Sequence, residues 1–492
     1  MTETAKKKRG MPSSFTILLA LLAIVAVITV IVSGTSGGAV TAARLSDFCT
    51  APIKGFADAL PVCLFVMILG GFLGMMTETG ALDNGIAVLV QKLKGNEIML
   101  IPVLMLIFSL GGTTYGMCEE TVPFYALLAA TMMAAGFDPM VGAATVLLGA
   151  GCGCLGSTVN PFAVGAAVDA LTGVDIAVNQ SIIIGLGAVL WIVTTAMSIF
   201  FVMNYAKKVK ADKGSTILSM QELKDAEEAH GKAASEVHKE VKLTGRQKGV
   251  LIAFAFTFVV MIVGFIPLAD LNEGVANFFD AGAVYDADGN AVVQGWSALI
   301  TGLPIGQWYF DEASTWFFLM AVLIGIIGGL SEKQIVNTFI TGAADMMSVV
   351  LVIALARGIS VLMANTGLDV FVLDAAANAL AGLSGVIFAP MSFLVYFGLS
   401  FLIPSTSGMA TVSMPIMGPL AVKLGFSPEV MVMIFSAAIG VVNLFTPTSG
   451  AIMGGLALAK IEWTTWLKFA LKLIVALSVV CAIILTVACV LI

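Results

Sequence analysis

The sequence predicts an all-α, polytopic membrane protein built from two inverted copies of one unit. Composition is the first observation: 59% of the 492 residues are hydrophobic and 11% are charged, too few polar residues to cover a soluble protein of this size. The second is a duplication. Gly116-Met-x5-Pro123 recurs as Gly408-Met-x5-Pro415, and Gly55-Phe-Ala-Asp58 recurs as Gly342-Ala-Ala-Asp345, at offsets of 287 to 292 residues. A duplicated apolar chain is typical of transporters.

The N-terminal segment, residues 1–45, combines a basic tail with a first span. Lys6-Lys-Lys-Arg9 precedes an apolar run at 14–33, an order that superficially resembles a signal peptide. No convincing small-residue cleavage site closes the run, which reaches the roughly 18 to 20 residues of a spanning helix. We therefore expect a retained span with the tail in the cytoplasm, where Lys and Arg collect.

About nine spans and two re-entrant hairpins are expected in all. Segments 97–135 and 385–423 are each too long for one helix and are broken at mid-length by glycines and prolines, so they are the expected hairpins. Two spans, 137–170 and 426–459, are interrupted in a similar way. The seven continuous spans are 14–33, 60–76, 178–203, 249–268, 314–331, 347–364 and 466–490.

Charge divides the chain and sets its predicted orientation. The first repeat, 46–203, is followed by a loop at 204–248 with ten Lys and Arg residues, which we place inside. The connecting spans, 249–333, carry a loop at 268–313 with seven acids and no Lys or Arg, which we place outside. The second repeat, 334–492, then ends with an external C-terminus, in the cytoplasmic membrane of a prokaryote.

The histidines and cysteines offer little chemistry. His230 and His238 fall in the 204–248 loop, where alternating Glu, Lys and Ala predict a helix facing water. Cys152 and Cys154 form the one close cysteine pair of the apolar segments, and their glycine neighbours favour close helix packing over redox chemistry. We expect no metal site and no cofactor.

Four breaks in the apolar runs predict the position of a substrate site. Non-helical backbone at membrane depth survives only where it lines a cavity or is buried in protein, and breaks are expected at 111–121, 149–161, 404–411 and 443–450. The alternative is that their small residues only tighten helix contacts. Candidate substrate ligands in the breaks are Thr113, Thr114, Asn160, Ser405, Thr406, Ser407, Asn443, Thr446 and Thr448. Candidate ligands of a coupling ion are Ser157, Thr158 and Ser449.

Three ionisable residues fall inside these apolar segments, where a charge costs about 2.5 to 3.5 kcal/mol by insertion scales. Glu119 and Glu120 occupy the tip of the first hairpin. They are candidates both for the cationic groups of a substrate and for the coupling ion or proton. Arg357 lies near the middle of a span. It is a candidate for a substrate carboxylate; the alternative is an internal ion pair, for example with one of the glutamates.

Several short motifs carry a family resemblance that covers nearly the whole chain, with the glutamate-bearing hairpin as its most specific part. They are Asp83-Asn-Gly-Ile86, Gly95-Asn-Glu97, Ile107-Phe-Ser-Leu-Gly-Gly112, Gly116-Met-Cys-Glu-Glu120, Asn160-Pro-Phe162, Trp308-Tyr309, Ser405 to Pro415 and Thr446-Pro-Thr-Ser449. On these residues the chain resembles the YfcC-type branch of the ion-transporter superfamily, near the anaerobic C4-dicarboxylate carriers.

The resemblance implies a two-hairpin scaffold, a substrate site between hairpin tips and broken helices, and a homodimer with elevator-like movement. It also implies several substrate classes: arginine and ornithine, C4-dicarboxylates, or short-chain fatty acids. The Ser-Asn-Thr motif that the dicarboxylate/sodium branch uses at each hairpin is absent here, with Gly-Met-Cys-Glu-Glu and Ser-Thr-Ser-Gly in its place.

The leading hypothesis is a secondary active carrier that exchanges a basic amino acid such as arginine or ornithine. The alternative is a C4-dicarboxylate or short-chain carboxylate carrier coupled to H⁺ or Na⁺. We expect a small-molecule substrate, the lipid bilayer and a second copy of the chain as partners, and no nucleic acid. A channel and an intramembrane hydrolase are the other classes considered. Because no nucleophile and base or His-Glu metal pair is found among the spans, we expect no enzyme.

Overall fold

The chain folds almost entirely into helices, which confirms the predicted fold class. A two-stranded antiparallel hairpin, β1 (Val284–Tyr285) and β2 (Ala291–Val293), is the exception among the described residues. The computed structural model describes residues 14–82, 84–85, 88, 96–236, 242–266, 268–271, 273–286, 291–403 and 405–492. Of the residues singled out above, Lys6 to Arg9, Asp83, Ile86, Gly95 and His238 lie outside the described residues, as does Pro404 of the expected break at 404–411.

Eight α-helices of the first half have both ends within the described residues, and two of them belong to the hairpin at 97–135. They are α1 (Ser14–Ser33), α2 (Leu45–Asp58), α3 (Leu60–Glu78), α4 (Leu100–Tyr115), α5 (Val122–Ala134), α6 (Pro139–Leu155), α7 (Ala166–Thr172) and α8 (Gln180–Ala211).

The connecting segment and the second half follow. Their helices are α9 (Met220–Glu236), α10 (Gly245–Phe265), α11 (Leu268–Leu271), α12 (Glu273–Phe279), α13 (Phe310–Gly328), α14 (Glu332–Asp345), α15 (Met347–Thr366), α16 (Leu368–Leu380), α17 (Gly385–Leu402), α18 (Thr406–Lys423), α19 (Pro428–Val442), α20 (Gly450–Leu458) and α21 (Trp463–Leu491).

Eight of the described helical stretches are long and apolar enough to cross a membrane. Seven of them coincide with the seven continuous spans expected from the sequence. The eighth is the first arm of the first hairpin, Glu97–Tyr115, which is as long as a span although it belongs to a hairpin. The interrupted spans consist of shorter helices, Pro139–Leu155 with Pro161–Thr172, and Pro428–Val442 followed by α20.

The sequence Gly136-Phe-Asp-Pro139 recurs as Gly425-Phe-Ser-Pro428, and in each copy it marks the start of a helix. Gly136 and Gly425 both adopt positive φ, at 87° and 81°, and so turn the chain where a side chain would be strained. Two residues later, Asp138 and Ser427 each accept a hydrogen bond from a backbone N–H of the helix that follows. Proline then occupies the first position of α6 and of α19, which suits its fixed φ and missing N–H.

The two copies pack on each other reciprocally. At the repeat offset of 287, α2 corresponds to α14 and α3 to α15, and the structure packs α2 on α15 and α3 on α14. Glycines permit both crossings. A side chain at Gly55 would collide with the backbone of Ala354 and Gly358, and one at its counterpart Gly342 with the backbone of Gly70. This exchange of partners is what a two-fold relation between the copies produces.

The helices form two groups around the central cavity. Helices α1 to α3, α10 and α13 to α15 pack mainly on one another, whereas α4 to α8 and α17 to α21, which include both hairpins and both broken spans, form the other group. Helix α20 packs on α15 and thereby joins the groups. The interruptions of the second group therefore face the first group, where the site lies.

The breaks are narrower than the sequence indicated. Gly111 to Tyr115 are still helical, so the first break covers 116–118; the others cover 156–160, the described residues 403 and 405, and 443–449. Several glycines assigned to breaks instead bring α4 and α6 together. A side chain at Gly112 would collide with the carbonyl of Ala150, and one at Gly153 with that of Ser109. These glycines serve the small-residue packing that was the alternative interpretation.

The charged loop contains the expected helix, but His230 does not face water. Helix α9 packs on α5, and one of its faces buries Glu222, Ala226 and His230. The Nε2 atom of His230 lies 3.1 Å from the carbonyl oxygen of Leu458, and Glu222 accepts a 2.9 Å hydrogen bond from the backbone N–H of Glu462. The prediction was wrong because the hairpin and α20 end beside this face and cover it.

Candidate functional site

A cavity of about 320 Å³ lies where the four breaks meet. Its volume is at the lower end of the range for small-molecule sites, about 300 to 1,000 Å³. The wall includes Gly116 to Cys118 of the first break and polar residues from the other three. Ten residues predicted from the sequence line it: Glu119, Glu120, Asn160, Arg357, Ser405, Thr406, Ser407, Asn443, Thr448 and Ser449.

The two hairpin glutamates differ in what they contact. Glu120 is 1% exposed, and its Oε2 accepts a 2.9 Å hydrogen bond from the backbone N–H of Cys118. The Thr121 hydroxyl donates to the carbonyl of the same Cys118 at 2.6 Å. These two bonds close the turn at the hairpin tip. Glu119 is only partly buried, so its carboxylate is the better placed of the two to meet a ligand.

Asn160 organises the break between α6 and α7. Its Oδ1 accepts hydrogen bonds from the backbone N–H groups of Phe162 and Ala163, and its Nδ2 donates to the Ser157 hydroxyl at 3.0 Å. Gly116 faces this amide with φ of 81°, and a side chain there would lie 2.6 Å from the Asn160 Oδ1 atom. The Asn160 amide, which caps the helical turn that leads into α7, thus lies directly against Gly116 at the hairpin tip.

Five predicted ligands lie outside the cavity wall, and two of them, Thr113 and Thr158, join separate backbone segments. The Thr113 hydroxyl donates to the Gly156 carbonyl at 2.6 Å, and the Thr158 hydroxyl donates to the Thr113 carbonyl at 3.0 Å. Together they fasten the first hairpin to the first broken span. The remaining three are Thr114, bonded to Leu110 in its own helix, Ser157, bonded to Cys154, and Thr446, bonded to Thr448.

Two helix N-termini border the cavity. Ser405 caps α18 by accepting a hydrogen bond from Gly408 at 3.1 Å, and Thr406 and Ser407 of its first turn line the wall. Ser449 and Gly450, where α20 begins, line it as well. The first N–H groups of a helix have no partner within the helix and carry partial positive charge. This part of the cavity is therefore suited to an anionic group such as a carboxylate.

Arg357 forms an ion pair with a residue that the sequence analysis did not select. Its Nε lies 3.0 Å from Oδ2 of Asp58, the last residue of α2, and both residues line the cavity. The expected alternative of an internal ion pair is therefore present, with Asp58 in place of a glutamate. A signal was available: Asp58 ends the repeated motif whose second copy ends at Asp345.

Acidic groups outnumber basic ones in the cavity. Of the residues that line it, Asp58, Glu119 and Glu120 carry carboxylates and Arg357 carries the guanidinium. Three carboxylates and one guanidinium give a formal charge of −2 when all are ionised. Within the described part of the chain, no group of three or more His, Cys, Asp or Glu residues is arranged to hold a metal ion. The arrangement can bind a molecule that offers both a carboxylate and a cationic group.

The chain is similar to two curated bacterial proteins along most of its length. One, an uncharacterized protein of Haemophilus influenzae, is 28% identical over 445 residues, which cover 90% of this chain and 78% of the relative. The other, named putative basic amino acid antiporter YfcC, from Escherichia coli, is 28% identical over 424 residues, covering 84% and 74%.

Two solved structures also match along nearly the full length. MtrF of Neisseria gonorrhoeae, titled an antimetabolite efflux pump, aligns with a TM-score of 0.44 at 16% identity, covering 98% of this chain and 96% of that one. The YdaH transporter of Alcanivorax borkumensis aligns with a TM-score of 0.46 at 16% identity, covering 97% and 98%.

The family model described as DcuC, C4-dicarboxylate anaerobic carrier, matches residues 39–490. That range contains both repeats, both hairpins and every residue of the cavity wall. The resemblance found in the sequence motifs is thereby confirmed. This multi-pass membrane transporter belongs to the family of C4-dicarboxylate anaerobic carriers.

Proposed function

We propose that this transporter is a secondary active carrier that exchanges a basic amino acid, such as arginine or ornithine, across the cytoplasmic membrane. The charge of the cavity carries the proposal. A site with three carboxylates and one guanidinium attracts a ligand with a net positive charge and repels a dianion. The similarity to a protein named as a putative basic amino acid antiporter supports the same substrate class.

The cavity offers a place for each end of such a substrate. Glu119, partly buried at the hairpin tip, meets the cationic end of the side chain. The α-carboxylate lies near the N-termini of α18 and α20, with Ser405 and Ser449 beside it, and within reach of Arg357. The hydroxyl and amide groups of Asn443 and Thr448 then complete the polar wall.

The arrangement of the helices supports an elevator-type movement, and the homodimer is proposed from the family resemblance. The cavity lies between the group that holds the hairpins and the group formed by α1 to α3, α10 and α13 to α15. Movement of the group that holds the hairpins against the group formed by α1 to α3, α10 and α13 to α15 would carry the cavity across the bilayer. Exchange requires no further ion, and H⁺ at Glu119 or Na⁺ near Ser449 are the coupling ions to test.

A C4-dicarboxylate or short-chain carboxylate is the second candidate substrate. The name of the family favours it, and the two helix N-termini at the cavity are suited to carboxylates. A dicarboxylate would have to approach a site whose own charge is negative, so this candidate requires protonation of the glutamates or binding of a cation together with the substrate.

Exchange in proteoliposomes tests the two candidates. Vesicles loaded with unlabelled arginine should take up labelled arginine, and external lysine or ornithine should compete while fumarate and succinate should not. Uptake of labelled succinate by vesicles loaded with unlabelled succinate, inhibited by external fumarate, would favour the dicarboxylate carrier instead. Saturation of uptake separates a carrier from a channel, and empty vesicles provide the background.

A further inference from the structure

The ion pair between Asp58 and Arg357 joins helices from different copies at the cavity wall. Asp58 is the last residue of α2, in the first copy, and Arg357 lies within α15, in the second. The exposed fractions of the two side chains are 53% and 25%. The Asp58 carboxylate is thus accessible from the cavity, and an ion pair that is this exposed is weak.

The internal repeat supplies a control for the structural role of this pair. At the repeat offset, Asp58 corresponds to Asp345 and Arg357 corresponds to Gly70. The equivalent helices, α3 and α14, pack together through Gly342 and Gly70 with no arginine at that position. Helices of this kind can therefore cross without the ion pair. The pair occurs at one of the two equivalent crossings, that of α2 with α15, where it borders the cavity.

The position of Asp58 also argues against a stabilising role in its own helix. The C-terminal end of a helix carries partial negative charge, and a carboxylate there is unfavourable. The contact with Arg357 that the structure shows joins Nε to Oδ2 of Asp58 at 3.0 Å. A guanidinium has five N–H groups and can bind a second carboxylate through its terminal nitrogens, so a substrate carboxylate can approach Arg357 from the cavity and compete with Asp58.

We propose that Asp58 is a specificity residue that recognises the α-ammonium group of the substrate. In the empty carrier Asp58 pairs with Arg357. When an amino acid enters, its carboxylate binds Arg357 and its ammonium group binds the released Asp58. Each member of the internal pair thus exchanges its partner for a substrate group that has the same charge as that partner. Glu119, which lines the same cavity, remains for the cationic side chain. This inference rests on the proposed function.

The test compares L-arginine with 5-guanidinopentanoate, the same molecule without the α-ammonium group. Both affinities are measured by competition with labelled arginine or by thermal stabilisation of the detergent-solubilised protein. In Asp58→Asn, affinity for L-arginine should fall about 10- to 100-fold relative to affinity for 5-guanidinopentanoate, since one hydrogen bond between charged groups is lost. The matched control is Asp345→Asn, at the equivalent position of the other copy, which should keep the wild-type ratio.

The possible results separate this inference from the proposed function. Comparison of two ligands on one folded variant excludes general misfolding as the cause of a changed ratio. If wild type binds L-arginine and Asp58→Asn keeps the wild-type ratio, Asp58 does not recognise the ammonium group and the inference fails alone. If wild type binds neither L-arginine nor another basic amino acid, the proposed function and the inference both fail.

Discussion

The sulfur of Cys63 lies 4.0 Å from the carbonyl oxygen of Val350, and the two residues are separated by the repeat offset of 287. They are therefore equivalent positions of the two copies in direct contact. Equivalent points can touch only where the relation between the copies brings them together, which places the axis of the internal two-fold at this contact. The crossings of α2 with α15 and of α3 with α14 lie around it.

Substitution of the crossing glycines should destabilise the protein. In Gly342→Val the new side chain would overlap the Gly70 backbone, and we expect a loss of about 1 to 3 kcal/mol, as for other overpacked sites. Thermal unfolding in detergent measures the loss. Gly185→Val is the matched control, because a side chain at Gly185 would meet no atom within 4 Å. Equal melting temperatures for the two variants would contradict the close crossing.

The two hairpin glutamates should separate into ligand and structural roles. We expect Glu119→Gln to weaken arginine binding about tenfold or more through loss of a charged hydrogen bond, with little change in thermal stability. Glu120→Leu should instead lower stability, because it removes the oxygen that accepts the N–H of Cys118 at the tip. Binding assays and melting curves on both variants provide the measurement. Unchanged arginine binding in Glu119→Gln would remove this residue from the site.

Thr113 should matter more than its neighbour Thr114. Thr113→Ala removes the hydroxyl that bonds the Gly156 carbonyl and leaves that buried acceptor without this partner, at a cost of about 1 to 3 kcal/mol. Thr113→Ser keeps the hydroxyl and should restore most of the stability. Thr114→Ala loses only a bond to its own helix at Leu110 and serves as the control. Similar melting temperatures for the two alanine variants would argue against the joint between hairpin and broken span.

Acidification should destabilise the packing of α9. Burial lowers the pKa of His230 below its ordinary value of about 6.5, the positive charge of Lys460 lowers it further, and the hydrogen bond to Leu458 opposes the shift. Unfolded His230 therefore binds its proton at a higher pH than folded His230. Stability should fall as the pH drops below about 6.5.

The variant that checks this pH dependence is His230→Gln, which keeps an N–H donor and has no group that titrates in this range. Its melting temperature should change less than that of wild type between pH 7.5 and pH 5.5. Glu78, Asp345 and Lys460 line a neighbouring cavity of about 910 Å³ together with His230, and the His230→Gln variant leaves all three unchanged. An identical slope in wild type and variant would exclude His230 as the cause.

The predicted orientation can be tested with the native cysteines. All seven lie among the described residues and are free, and Cys49 is the exposed one. A membrane-impermeant maleimide added to intact cells should label wild type and should not label Cys49→Ser. Glu227→Cys in the Cys49→Ser background, on the exposed side of α9, should react only after permeabilisation. Labelling of the Glu227→Cys variant in intact cells would show that the orientation is the opposite of the predicted one.

Much of the fold and of the site follows from local features of the sequence. Apolar length determines the spans, and the repeated Gly136-Phe-Asp-Pro139 motif determines a helix start through its turn and cap. Ten of the fifteen predicted ligands line the cavity. Nine of these ten lie at or beside an interruption of an apolar run, as expected because only a cavity or surrounding protein can satisfy open backbone at that depth, whereas Arg357 lies within α15. Their roles as ligands stay predictions.

The sequence by itself therefore determined the membrane class, the duplication and the region of the site. Tertiary structure decided the roles of individual residues. Gly112, Gly149 and Gly153 look the same in sequence whether they break a helix or pack it, and only the approach of α4 to α6 made them packing residues. The partner of Arg357 depended on the crossing of α2 with α15, which brings Asp58 within 3.0 Å across 299 residues of chain. Pairing across such a separation leaves no local pattern, because it depends on how distant helices meet.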